Sequence, residues 1–299
     1  MTSGNLKVIN PISLTAGMLV STTATNADAA YNAGTAYALN AKCTYANYIY
    51  LCIQGPCTGQ TPDTSPLYWT LQGPCNKWAM CDDQVSTVTT AATTLTVVLQ
   101  PGICNSLAFQ GLLGNTLAIT LQDGPGGAVV YSNTVSLDGT VIADWYQYFF
   151  EPFVQLAEVA LTALPTYASA YITFVVTGGG VVGVGVVSVG SFYDLGITLA
   201  GATVAIIDYS VKQTSATGAT NFDRRAYSKR MSIRSALDNA QINKVQRLLA
   251  NLRAKPAVWI GSEAANFQPL IVFGFYRDFS IEIAYVDYSF CSLEIEGLT

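Results

Sequence analysis

Residues 93–121 read TTLTVVLQPGICNSLAFQGLLGNTLAITL. Three apolar runs lie in this stretch, Leu95–Leu99, Ser106–Gln110 and Leu117–Leu121. Turn-forming residues separate them, Pro101-Gly102 most plainly. Runs this short, bounded by Gly, Pro and Asn and rich in β-branched residues, read as strands. The same punctuation continues outward. Ala128–Ser136, Trp145–Phe150, Val159–Leu161, Ala170–Thr177 and Val181–Val189 follow as strands, with turns at 123–127 and Asp138-Gly139. No helical period competes across residues 73–196, so a β-sandwich or barrel is predicted there.

The flanks read differently. Before the sandwich, the first 25 residues suggest an extended arm or an edge strand. Short strands are then predicted at Thr35–Leu39, Ala41–Tyr45 and Asn47–Ile53. In the last of these Tyr48, Tyr50 and Cys52 share one face. After the sandwich, Leu199–Asp208 reads as a strand. A basic run follows, Arg224, Arg225, Lys229, Arg230 and Arg234. One helix is expected next: Asp238 or Asn239 can cap it, and Ile242, Val245, Leu249 and Leu252 form an apolar stripe. Lys255-Pro256 stops it. Strands return at Ala257–Ile260, Leu270–Tyr276, Arg277–Tyr285 and Ser289–Ile295. The predicted fold class is mainly β and multidomain. It comprises an arm at residues 1–27, a small β module at 28–72, a jelly-roll sandwich at 73–198 and a C-terminal α+β domain at 199–299 with one main helix.

Composition narrows the chemistry. The 299 residues include no histidine. Ser-His-Asp and Cys-His nucleophilic pairs are therefore excluded, as are histidine-ligated metals and histidine pH switches. Charged residues make up 11% of the chain, against roughly 25% in an average domain. Residues 1–200 hold three basic and ten acidic residues, and residues 201–299 hold eleven and nine. The charge break near residue 200 supports a boundary there. The uncharged stretch 159–193 contains Pro165 and six glycines, and reads as buried strands, with no membrane span. The N-terminus lacks a basic region leading into an apolar core, so no signal peptide is expected.

Several constellations invite a chemical reading. Five of the seven cysteines fall between Cys43 and Cys81. No C-x-x-C pair occurs, which weakens a metal reading. Cys52 and Cys57 flank a Gly-Pro loop and could close it as a disulfide; free, buried thiols are the alternative. Asp82 and Asp83 could hold a structural Ca²⁺, and no other cofactor is expected. Gly178-Gly-Gly-Val-Val-Gly183 matches G-x-G-x-x-G, but a strand follows it where nucleotide binding needs a helix N-terminus. Asp144 with Glu151, or Glu294 with Glu296, could serve a glycosidase, yet their spacing is that of ordinary polar residues. The basic run 224–234 suits pairing with Asp223, Asp238 and the acidic N-terminal half of a neighbouring subunit better than specific nucleic-acid binding, because its domain is only +2.

Three resemblances follow. Tyr31-x-x-Gly34-Thr35-x-Tyr37, Ala41, Tyr50, Gly59-x-x-Pro62 and Trp69 resemble the chitin-binding type of carbohydrate-binding module. That resemblance implies sugar stacking by Tyr31, Tyr37, Tyr50 and Trp69, or an inert spacer. Trp78-x-x-x-Asp82 and the strand order after it resemble the galactose-binding-like jelly roll, which implies architecture more than ligand. Residues 255–261, 270–285 and 289–298, with Arg225–Arg230 before them, look like the C-terminal domain of tail proteins of tailed bacteriophages and prophages. The resemblance implies a non-enzymatic virion protein of the tail tip or baseplate, made in the host cytoplasm. Its partners would be other phage tail proteins and copies of itself in a homo-oligomeric ring, with a host-surface glycan as a further ligand. Arg224, Arg225, Lys229, Arg230 and Arg234 would lie at the assembly interface. A dedicated glycan-binding receptor-recognition protein is the alternative reading, and a polysaccharide depolymerase a third.

Overall fold

The computed structural model describes residues 4–140, 142–215, 217–263 and 265–299. The protein is mainly β, with several sheets and a single main helix, Ile242–Asn251. A nine-stranded sheet runs in the order Val159–Leu161, Ser106–Gln110, Val186–Thr198, Asn5–Pro11, Ala257–Ile260, Ile271–Glu282, Tyr288–Gly297, Tyr227–Asp238 and Thr203–Asp208. A five-stranded sheet runs Val129–Ser136, Thr116–Gln122, Tyr171–Thr177, Thr94–Leu99 and Leu19–Thr22.

Strict alternation builds the sandwich. Leu95, Val97 and Leu99 are buried on one face of their strand, as are Leu117, Ile119 and Leu121, and Ile172, Phe174 and Val176. They meet Leu107, Phe109, Val187 and Val189 of the larger sheet. The Phe109 and Phe174 rings pack edge to face, with centroids 4.9 Å apart. Each such side chain gains roughly 1.5–3 kcal/mol on burial. A one-residue slip would turn a whole set to solvent, which fixes the register.

The larger sheet serves two cores on one face. In Val186–Thr198, Val187 and Val189 enter the sandwich core, while Leu195 enters a second core with Leu6, Val8, Trp259 and Leu293. The helix closes that second core with Val245, Leu248 and Leu249. Its entry is capped at Asp238, whose carboxylate accepts from the Ala240 N–H at the start of a 3₁₀ turn. The opposite face carries a third cluster, including Ile9, Ala108, Val258, Ile260 and Phe273.

Four expectations are corrected. Asn5–Pro11 is neither an arm nor an edge strand: it pairs with Val186–Thr198 on one side and Ala257–Ile260 on the other. Leu6, Val8 and Ile9, all fully buried, place it there. Trp145–Phe150 is a short helix, not a strand. The Asp144 carboxylate accepts from the Gln147 N–H and the Gln147 side chain accepts from the Ala143 N–H, which is the logic of a capping box. Thr35–Leu39 is built of turns, with a single bridge from Tyr37 to Cys57. The break expected at Arg277 is only a bulge within one strand, Ile271–Glu282. A strand that sequence reading did not assign, Tyr227–Asp238, carries most of the basic run. The nine-stranded sheet also runs across the division expected at residue 198.

Candidate functional site

The segment 28–72 is built round aromatics because it has little else to bury. Its three strands, Lys42–Tyr45, Tyr48–Cys52 and Trp69–Pro74, form a separate sheet. Cys43, Cys52, Cys57 and Trp69 make its core, with Tyr31, Tyr37 and Tyr50 packed against them. The Tyr31 and Tyr37 rings stack at 5.7 Å, 16° from parallel. Trp69 meets Tyr37 edge-on at 5.1 Å, and its Nε1 donates to the Gln60 carbonyl at 2.9 Å. The four expected sugar-stacking residues are thus brought together. Trp69, however, is only 3% exposed, so its ring packs the module and offers no face to a ligand. Tyr31, Tyr37 and Tyr50 are half-buried, while Tyr48 on the neighbouring strand position is exposed.

The cysteines divide from the aromatics in role. All seven are free, and the Cys52 and Cys57 sulfurs lie 2.9 Å apart without a bond. Burial pushes the Cys43 thiol up to about 11 and Cys57 to about 12. Cys81 rises to about 12, and Cys104 and Cys291 to about 11, for the same reason. Such thiols are poor nucleophiles and poor ligands at neutral pH.

Among the described residues, no third acidic or sulfur ligand joins Asp82 and Asp83. The Asp82 carboxylate accepts from the Gln84 N–H at 2.9 Å and the Thr87 hydroxyl at 2.6 Å. Burial raises its affinity for a proton, against the pull of those hydrogen bonds. Calcium takes six to eight oxygens, and among the described residues no group of three acidic or sulfur ligands converges. The cleft beside Asp82 and Asp83 is also lined by a cation, Lys255.

The basic run is paired within the chain. Arg230 bonds Glu294 at 2.9 Å, and Arg234 bonds Glu282 at 2.5 Å while lying 4.2 Å over the Phe290 ring. Arg225 bonds Asp223 at 3.0 Å, and Lys229 bonds Glu158 at 2.5 Å. Arg224 is exposed, its charge near Asp208. The expected pairing with Asp223 is made by Arg225, while Lys229, Arg230 and Arg234 take other carboxylates of this chain. The three exposed pairs, those of Arg225, Arg230 and Arg234, contribute about 0–1 kcal/mol each. They leave little net positive field for a partner to read.

One exposed feature escaped sequence reading. On the Trp145–Phe150 helix every aromatic side chain points out, Trp145 being 79% exposed. Phe153 and Val154 extend the patch. The signal was the Asp144-x-x-Gln147 cap, overridden by the high strand propensity of the aromatics. Glycosidase pairing finds no support in this geometry, since Asp144 is the helix cap and Glu294 is held by Arg230.

Comparison with protein-family models and with curated proteins returns no match for the chain. Among the described residues no helix is long and apolar enough to cross a membrane.

Proposed function

We propose that the chain is a non-enzymatic structural protein of a bacteriophage tail, at the tail tip or baseplate, which docks through its C-terminal third and presents β modules able to bind host-surface glycans. The observation that supports assembly is the open edge of the nine-stranded sheet. Among the described residues Thr203–Asp208 has no partner on its outer side, and it carries exposed Val204 and Ile206, the latter 66% exposed. The chain continues into an exposed hairpin, Val211–Thr214 with Thr220–Asp223, with exposed Phe222 near its base. A long apolar edge is a template for another chain, and monomeric proteins normally blunt it with charge, proline or a covering loop. A neighbouring copy adding strand to strand would cover it and propagate a ring.

Electron microscopy of the purified chain and of virions that carry it tests the assembly reading. Rings, or tails decorated at one end, are expected. Ile206→Lys should keep the fold, read by circular dichroism, and abolish the rings. A wild-type chain that stays monomeric and never joins virions overturns the reading.

A dedicated receptor-recognition role is the second reading. It is favoured by the outward aromatic rings of the Trp145–Phe150 helix, which have the flat apolar faces that sugar rings stack on.

A further inference from the structure

Strands of the nine-stranded sheet line a cleft that none of the preceding features uses. Its volume is about 330 Å³, at the lower end of the roughly 300–1,000 Å³ typical of small-molecule sites. Gln110, Glu158 and Lys229 supply its polar wall, and Phe273, Leu298 and Tyr227 its apolar one. The chain brings them together from distant positions. Gln110 ends the strand Ser106–Gln110, Glu158 precedes Val159–Leu161, and Lys229 lies in Tyr227–Asp238.

Gln110 is the residue that asks for a ligand. It is 3% exposed, and its Nε2 has no hydrogen-bond partner among the described residues. A buried amide donor without an acceptor is costly, and such groups are rare in folded proteins. An acceptor entering the cleft would satisfy it. Beside it, the Glu158 carboxylate and the Lys229 ammonium are bonded at 2.5 Å, both mostly buried. Burial raises the proton affinity of Glu158, while the charge and hydrogen bond of Lys229 pull the other way. The pair therefore brings both an acceptor and a donor to the cleft with no net charge. A charged ligand gains nothing there, whereas hydroxyl groups, each able to donate and accept, can be shared between Gln110, Glu158 and Lys229. The half-buried Leu298 and the exposed Tyr227 ring offer an apolar surface for C–H groups, with the buried Phe273 packed behind them.

We infer that this cleft binds a neutral carbohydrate unit, its hydroxyls held by Gln110, Glu158 and Lys229 and its apolar face set against Leu298 and Tyr227. The inference rests on the glycan-presenting part of the function proposed above, and it places the sugar away from the aromatic module of residues 28–72.

Saturation-transfer NMR on the full chain tests it, with D-galactose, D-glucose, D-mannose and N-acetyl-D-glucosamine as neutral probes and N-acetylneuraminic acid as an anionic one. At least one neutral sugar should receive saturation, and that sugar should shift the Gln110 side-chain amide in an ¹⁵N spectrum. Gln110→Leu should weaken binding at least tenfold. Tyr227→Ala, at an exposed position that tolerates truncation, should weaken it measurably with the thermal midpoint unchanged. Three results overturn the cleft: no neutral sugar binds the wild type, only the anion binds, or binding survives Gln110→Leu but is lost in Tyr37→Ala. The last of these would leave the glycan reading standing on the small module. Conversely, cleft binding by a chain that never associates with tails would sink the assembly reading and keep the cleft.

Discussion

At the residue scale Trp69 decides how the aromatic module should be tested. Its ring touches Tyr31 and Tyr37, and its indole N–H is spent on the Gln60 carbonyl. Truncating a buried Trp costs about 3–5 kcal/mol, a large share of what a 45-residue segment can hold together. Trp69→Ala should therefore melt the segment 28–72, seen as lost dispersion of its amide resonances, whatever it binds. An intact module with sugar binding alone removed would show instead that Trp69 is a ligand platform. The thiols give a second residue-scale expectation. With burial holding Cys43, Cys57, Cys81, Cys104 and Cys291 at about 11 to 12, a maleimide at pH 8 should leave all five unlabelled in the native protein. Denaturant should expose them. Rapid native labelling, mapped by peptide mass spectrometry, would contradict the burial.

Elements are joined here by a few specific contacts, and their strength depends on pH in one direction. Lys7 in the first strand bonds Glu263 at 2.7 Å, and Glu263 also accepts from Thr162. Burial by itself would raise the Glu263 carboxyl, but the hydrogen bonds from Lys7 and Thr162 and the Lys7 charge together hold it below its ordinary value of 4.5. A depressed carboxyl binds fewer protons when folded, so its stabilisation is present above 4.5 and is lost as pH falls through the lower folded value. Urea midpoints of the wild type and Glu263→Gln should differ at pH 7 and converge towards pH 3. Parallel curves across that range would mean the contact is energetically silent. The same scale shows why some elements were legible in sequence and others were not. Leu95–Leu99 and Leu117–Leu121 alternate, and alternation survives in any context. Trp145–Phe150 was misread because propensity said strand while a two-residue cap, Asp144 with Gln147, said helix. The cap won because no sheet stands beside those rings to reward pairing. The Tyr227–Asp238 strand was hidden by Arg230 and Arg234, which point outward while Met231, Ile233 and Ser235 turn in.

For the whole molecule, the decisive fact is one that no local pattern could reveal. Asn5–Pro11 lies between strands nearly two hundred and two hundred and fifty residues away, in register Ile9↔Phe192 and Ile9↔Val258. The cleft was illegible for the same reason: Gln110, Glu158 and Lys229 meet only when the sheet is complete. The first strand is thus the longer seam between the sandwich side and the helix side of the larger sheet, which also meet where Ile197 and Thr198 pair with Ala236 and Ser235, and it puts Leu6 and Val8 in the helix-side core and Ile9 in the cluster on the opposite face. An arm could be removed with little effect, but a seam could not. Ile9→Ala should lower stability by about 2–5 kcal/mol, as for other buried Ile truncations. Because the strand contacts both halves, the loss should appear in one cooperative transition followed by both Trp259 fluorescence and far-ultraviolet circular dichroism. Removing residues 1–11 should leave no cooperative transition at all. If the truncated chain unfolds at the wild-type midpoint, the strand is dispensable and the two halves of the sheet hold together without it.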